Sequence, residues 1–159
     1  PDLSVELLLL DRVVDLLEEG LDLAVRIGEL PDSSLVAIPL GKVRRVCCAS
    51  AAYLRRHGTP REPSDLLKHR CIGFKGNGPN PDWRFKVAGR TVRVPVAPVF
   101  VTNQIEASID ASIAGLGCVS LLHYQARAGL ESGALKEVLR GYEVDPLPVH
   151  VLYRPDRLM

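Results

Sequence analysis

No stretch of this sequence approaches the roughly 18 consecutive apolar residues that a membrane-spanning helix needs. The N-terminus has no basic stretch followed by an apolar one, so no uncleaved secretory signal is expected. Charge of one sign is also missing. Twenty Lys and Arg face 19 Asp and Glu, a net +1, which excludes a protein that coats polyanions along its whole surface. Cysteine is sparse: Cys47, Cys48, Cys71 and Cys118 include no CxxC pair and follow no metal spacing. They read as buried thiols of a reduced, cytoplasmic protein. His57, His69, His123 and His150 lie too far apart in the chain for a local metal motif. There is no GxSxG elbow, no P-loop and no dinucleotide fingerprint. Neither a low-complexity tract nor an internal repeat is present, which argues against a solenoid. What remains is 159 residues, 47% apolar and 25% charged: enough for one ordinary domain or two small lobes.

The charge is unevenly placed. Residues 1–40 carry nine acids and two bases, net −7, and residues 42–93 carry thirteen bases and three acids, net +10. That shift near Gly41-Lys42 predicts a lobe boundary. Val5 to Leu10 is a short apolar run suited to a buried parallel strand. Asp11 offers a helix N-cap before the stripe of Val13, Val14, Leu16 and Leu17, and Gly20 ends that helix. Leu21, Leu23, Val25 and Ile27 then alternate as a strand, so residues 5–28 predict a βαβ unit with a right-handed crossover. Residues 29–41 read as loop, and a strand follows from Val43 to Cys48, its vicinal cysteines on opposite faces. Ser50 caps a helix ending near His57-Gly58, and Ser64 caps another from Asp65 to His69. Cys71 to Phe74 is a short strand and Lys75 to Pro81 is loop. Trp83, Phe85 and Val87 alternate, as do Val92, Val94 and Val96, with Ala88-Gly89-Arg90 as the turn of a hairpin. Asn103 and Glu106 resemble a capping box ahead of Ile105, Ile109 and Ile113. Gly115-Leu116-Gly117 follows a helix and precedes a strand, the wrong order for a phosphate loop, so it reads as a helix end and tight return. A strand from Cys118 to Leu122, a helix from Tyr124 to Leu130 and a strand from Val149 to Tyr153 complete an α/β pattern.

Two positions invite a functional reading. Arg26-Ile27-Gly28 lies at a strand's carboxyl end, where open α/β sheets bind ligands. Thr102-Asn103 sits where a helix begins, offering free N–H groups and a favourable dipole to an anion. Sheet-edge packing for Arg26 and simple capping for Asn103 are the competing explanations. The basic segment Lys42 to Arg93 interleaves its charges with strand and turn residues and carries no nucleic-acid motif. It therefore reads as a solvated face.

The runs DRVVDLLEEGLDLAVRIGELPDSSLVAIPLG, RRVCCASAAYLRRHGTPREPSDLLKHRCIGF, WRF, VTNQIEASIDASIAGLGCVSLL and GYEVDPLPVHVLYRPDRLM, in this order, resemble the effector-binding domain of LysR-type transcriptional regulators over nearly the whole chain. The resemblance implies a two-lobed, type II periplasmic-binding-protein-like α/β fold with mixed sheets and two crossing hinge strands. Lobe I would hold residues 1–45 and 148–159, and lobe II residues 46–147, with crossings near Arg45-Val46 and Pro148-Val149. It further implies a non-enzymatic sensory module that needs no cofactor. A small-molecule effector, with an anion among the candidates, would sit in a cleft lined by Arg26, Ile27, Gly28, Phe74, Lys75, Thr102 and Asn103. The chain would pair as a homodimer or tetramer. It would meet DNA only through a winged helix-turn-helix that lies outside it, and would not meet a membrane. Family members also carry a first lobe-I strand and helix and a final helix, so the match looks trimmed at both ends. A periplasmic solute-binding protein of the same fold is the alternative reading.

Overall fold

The computed structural model describes residues 4–10, 16, 18–31, 33–75 and 83–155. Its strands fall into a three-stranded, a five-stranded and a two-stranded sheet. The first contains β1 (Leu23–Ile27), β2 (Val36–Val43) and the late strand β10 (Leu147–Tyr153), in the order β1-β10-β2 with both pairings antiparallel. The five-stranded sheet uses β3 (Arg45–Ser50), β4 (Cys71–Phe74), β7 (Pro98–Thr102), β8 (Cys118–Leu122) and β9 (Leu135–Val138), in the order β7-β4-β8-β3-β9. It is mixed: β4 runs parallel to β7 and β8, whereas β3 is antiparallel to β8 and β9. The expected hairpin is β5 (Trp83–Val87) and β6 (Arg90–Val94); its turn is Ala88-Gly89 alone, because Arg90 already pairs with Val87.

The inner strands β3, β4 and β8 of the five-stranded sheet are buried on both faces, which accounts for their near-continuous apolar runs. On one face Cys47, Ala49, Cys71 and Cys118 pack with Tyr53, Leu66, Trp83, Phe85 and Val94, contributed by α1 (Ala51–His57), a 3-10 helix (Pro63–Lys68) and the hairpin. On the other, Val46, Cys48, Ile72, Val119 and Leu121 pack beneath α2 (Ile105–Ile113) and α3 (His123–Glu131). The vicinal cysteines do separate: Cys47 faces one cluster and Cys48 the other. Ser50 caps α1 by accepting from the Tyr53 amide at 3.3 Å, and Gly58 closes that helix at φ +82°, as the spacing predicted.

Several expectations fail for identifiable reasons. Residues 5–10 form no strand, and Leu7 and Leu9 stand about four-fifths exposed. Apolar character alone cannot make a strand, and no strand of the three-stranded sheet pairs with this run. The predicted parallel βαβ unit is therefore replaced by antiparallel pairing of β1 with β10, Val25 opposite Val151. The helix expected from Asp11 falls mostly outside the described residues; Leu16 within it is buried, and Gly20 is left-handed at φ +67°. The supposed loop 29–41 contains most of β2, whose Pro39 sits next to a register shift in the ladder where a missing amide is tolerated. Ser64 is not the cap of the 3-10 helix. That role falls to Glu62, with Asp65 Oδ2 accepting from the Arg61 and Glu62 amides at 2.8 and 3.2 Å ahead of Pro63. Asn103 makes no capping box either: α2 starts one residue later, from Gln104, whose amide donates to Thr102 Oγ1 at 3.1 Å. Strands β7 and β9 had no sequence expectation.

Candidate effector site

The pairing registers decide where each expected site residue lies. In the five-stranded sheet the parallel strands β4, β7 and β8 end at one edge, with Phe74 opposite Thr102. The Lys75 amide donates to the Thr102 carbonyl at 2.8 Å, joining the two strand ends just where the chain leaves the sheet. Phe74 and Thr102 are half-buried, while Lys75 and Asn103 are exposed. Strand β3, antiparallel to β8, begins at this same edge with Arg45 opposite Leu122. Four of the seven expected residues, Phe74, Lys75, Thr102 and Asn103, are thus neighbours at one sheet edge.

The other three sit together on the three-stranded sheet. Arg26 lies opposite His150 and Ile27 opposite Val149, both half-buried. Gly28 follows at φ +114°, a conformation that side chains rarely adopt, and its amide donates to the Pro148 carbonyl at 2.9 Å. A Cβ there would meet no atom within 4 Å, so glycine is demanded by the backbone turn and not by crowding. The ends of β1 and β2 flank the start of β10, where Leu147 faces Val43. One residue, Arg44, separates the end of β2 from the start of β3. Within their sheets β4 and β1 each lie two strands from the strand that Arg44 joins, and β7 lies three, at about 4.8 Å per strand.

Sequence reasoning missed His123 and Arg44. His123 opens α3 at the carboxyl end of β8, and its amide donates to the Arg44 carbonyl at 2.9 Å. The strand–helix boundary was visible in the sequence, but not that β8 runs parallel to β4, which is what brings it to this edge. Gln125 Oε1 accepts from the Leu122 amide at 2.8 Å and fixes the start of α3. Helices α2 and α3 thus begin where β7 and β8 end. Their leading amides, Gln104, Leu122 and His123, are already bonded within the chain. What these ends offer an anion is therefore the positive end of the dipole and the amides that follow.

Arg44 itself is paired. Arg44 engages Glu137 with both terminal nitrogens, Nη1 to Oε1 and Nη2 to Oε2 at 3.1 Å. This holds the Glu137 carboxyl below its ordinary value and raises the Arg44 guanidinium. The thiols are the opposite case. Burial pushes Cys48 and Cys71 up to about 12, and contact with Cys118 together with burial pushes Cys47 well above the usual range. These are protonated, occluded packing groups and not nucleophiles. Among the described residues no group of three or more His, Cys, Asp or Glu is arranged to hold a metal. No described helix is long and apolar enough to cross a membrane.

Residues 1–159 match the family described as "LysR substrate binding domain". A probable HTH-type transcriptional regulator from Klebsiella pneumoniae, LtrA, is 37% identical over 143 residues, covering 90% of this chain and 46% of its own length. The regulatory domain of CrgA, a LysR-type transcriptional regulator from Neisseria meningitidis, superposes with TM-score 0.78 at 30% identity over 89% of this chain and 69% of that one. The full-length Vibrio cholerae virulence activator AphB does so with TM-score 0.84 at 28% identity, over 99% of this chain and 53% of that one. The chain spans about half the length of the curated relatives it matches. Those relatives are named as transcriptional regulators, not enzymes, and the fold is that of LysR regulatory domains, periplasmic-binding-protein-like with mixed sheets. By the family match over its whole length, the chain belongs to the LysR substrate-binding domain family.

Proposed function

We propose that this chain is the effector-sensing and oligomerisation module of a cytoplasmic bacterial transcription regulator, with no catalytic step of its own. What supports the reading is that Phe74 lies opposite Thr102 in one sheet and Arg26-Ile27-Gly28 lies beside the start of β10 in the other, the two sheets being joined through Arg44. On this reading residues 1–45 and 148–159 form lobe I and residues 46–147 lobe II. The separate three-stranded sheet built from β1, β2 and β10 supports that division. A small effector carrying a carboxylate or similar anion would bridge the lobes, meeting Lys75 and the starts of α2 and α3 on one side and Arg26 on the other. Binding would favour one lobe angle, and attached winged helix-turn-helix domains in a homodimer or tetramer would read the change as spacing on DNA. The names of the relatives favour a regulator over a periplasmic solute-binding protein.

A thermal-shift screen of small carboxylates against matched neutral analogues tests the site. The expected hit stabilises the wild-type chain but neither Arg26→Ala nor Thr102→Ala. A ligand that stabilises all three equally binds elsewhere and removes the proposal. A gel-shift titration at physiological salt tests the division of labour. Weak, salt-sensitive association with any duplex is expected, and tight preference for one duplex over a scrambled one would make the basic segment the functional surface.

A further inference from the structure

We propose that Arg44, Glu137 and Glu143 form a latch that clamps the two chain crossings together and so fixes how the three-stranded sheet is set on the five-stranded one. The chain leaves the three-stranded sheet through Arg44 and returns to it along residues 143–147. One crossing supplies the guanidinium of Arg44, the other the carboxylate of Glu143, and Glu137 on β9 orients the guanidinium between them. Arg44 binds Glu137 through two nitrogens and reaches Glu143 Oε1 at 3.5 Å. Glu143 in turn accepts from the Gly141 amide at 2.7 Å, just ahead of the returning segment. The main chain of Arg44 is tied independently, its carbonyl accepting from His123.

Glu137 is the unusual member. It lies on β9, an outer strand of the sheet, yet its side chain is only 3% exposed, and Arg140 Nη2 supplies a third contact at 3.2 Å. Burying a carboxylate is costly and is offset only by well-formed pairing, so an apolar residue beside Leu135 and Val138 would serve stability at least as well. A bidentate guanidinium–carboxylate pair adds direction: it holds Arg44 in one orientation. Around Arg44, the single residue between two sheets, direction is what sets their relative angle. The two-lobed reading supplies the latch's consequence, but its existence can be tested without any effector.

The test is amide hydrogen exchange on the 159-residue chain. In Glu137→Gln, protection across residues 42–46 and 143–149 is expected to fall roughly tenfold, while Ile72 and Val119 in β4 and β8 keep theirs. Arg44→Lys keeps the charge but loses the bidentate geometry. It is expected to open the same two segments, and it carries the test if Glu137→Gln does not fold. Arg140→Ala removes a largely exposed partner and is expected to exchange as wild type. Unchanged protection at 42–46, equal loss throughout the five-stranded sheet, or opening by Arg140→Ala to the same extent would each overturn the latch.

Discussion

Gly117 occupies the tightest backbone approach among the described glycines, and replacing it with alanine should cost more than any surface substitution. It precedes β8 at the point where that strand comes alongside β4. A Cβ built there would lie 2.8 Å from the Arg70 carbonyl carbon and 2.3 Å from its oxygen, the latter more than 1 Å inside the 3.4 Å at which ordinary contact begins. The obstacle is main chain, which cannot swing aside as a side-chain tip can. Relief requires moving β8 away from β4, which breaks the 2.8 Å bond from the Cys118 amide to the Arg70 carbonyl. It also strains the buried bond from Ser112 Oγ to the Gly117 carbonyl at 3.0 Å. Overpacking of about 1–3 kcal/mol, plus about 1 kcal/mol for the lost hydrogen bond, gives about 3 kcal/mol in total. For a chain of this size that corresponds to a fall in Tm on the order of 10 °C. Urea unfolding followed by circular dichroism measures it directly. Gly133→Ala is the control: φ there is +76° but nothing lies within 4 Å, so only backbone strain of about 1–2 kcal/mol is expected. Should Gly117→Ala unfold at the wild-type urea midpoint, or cost no more than Gly133→Ala, the steric reasoning is refuted.

The remaining predictions concern buried polar and thiol groups. Tyr53→Phe removes the hydroxyl that accepts from the Arg70 amide at 2.9 Å and meets His69 Nδ1 at 3.1 Å, and should cost about 1–2 kcal/mol in urea titration. Burial holds His69 below its ordinary 6.5, with Asp65 opposing the shift and His57 adding to it. The unfolded chain then binds the proton more readily, so the contribution of His69 is complete above about pH 6.5 and declines as pH falls towards the lowered folded value. His69→Gln should flatten stability measured between pH 7 and 5.5, and an unchanged slope would assign the acid sensitivity elsewhere. The four cysteines should resist a water-soluble disulfide reagent in the native chain and all react in denaturant, because each is buried. Rapid native labelling of Cys71 or Cys118 would contradict the packing described.

The sequence by itself was informative wherever a short-range rule decides. Ser50 three residues before Tyr53 specifies a cap, Gly58 a left-handed helix end, and Cys47-Cys48 opposite faces, because each depends only on neighbours along the chain. The alternation of Trp83, Phe85, Val92 and Val94 likewise specified a hairpin with one face for the core. The ordered motifs carried the family. Tertiary structure alone decided which apolar segments become strands and in which direction they run. Val5 to Leu10 looks more like a buried strand than Val36 to Val43 does, yet only the latter finds a partner, because β10 returns from the far end of the chain to pair with it. The proposed site depends on the same long-range pairing. Phe74 and Thr102 are 28 positions apart, and their adjacency follows from the parallel register of β4 and β7. The role of Arg44 follows from Glu137, 93 residues downstream and brought back by β9. Hydrogen-bonded pairing between distant segments is set by the whole fold's competition for partners, which no local pattern encodes.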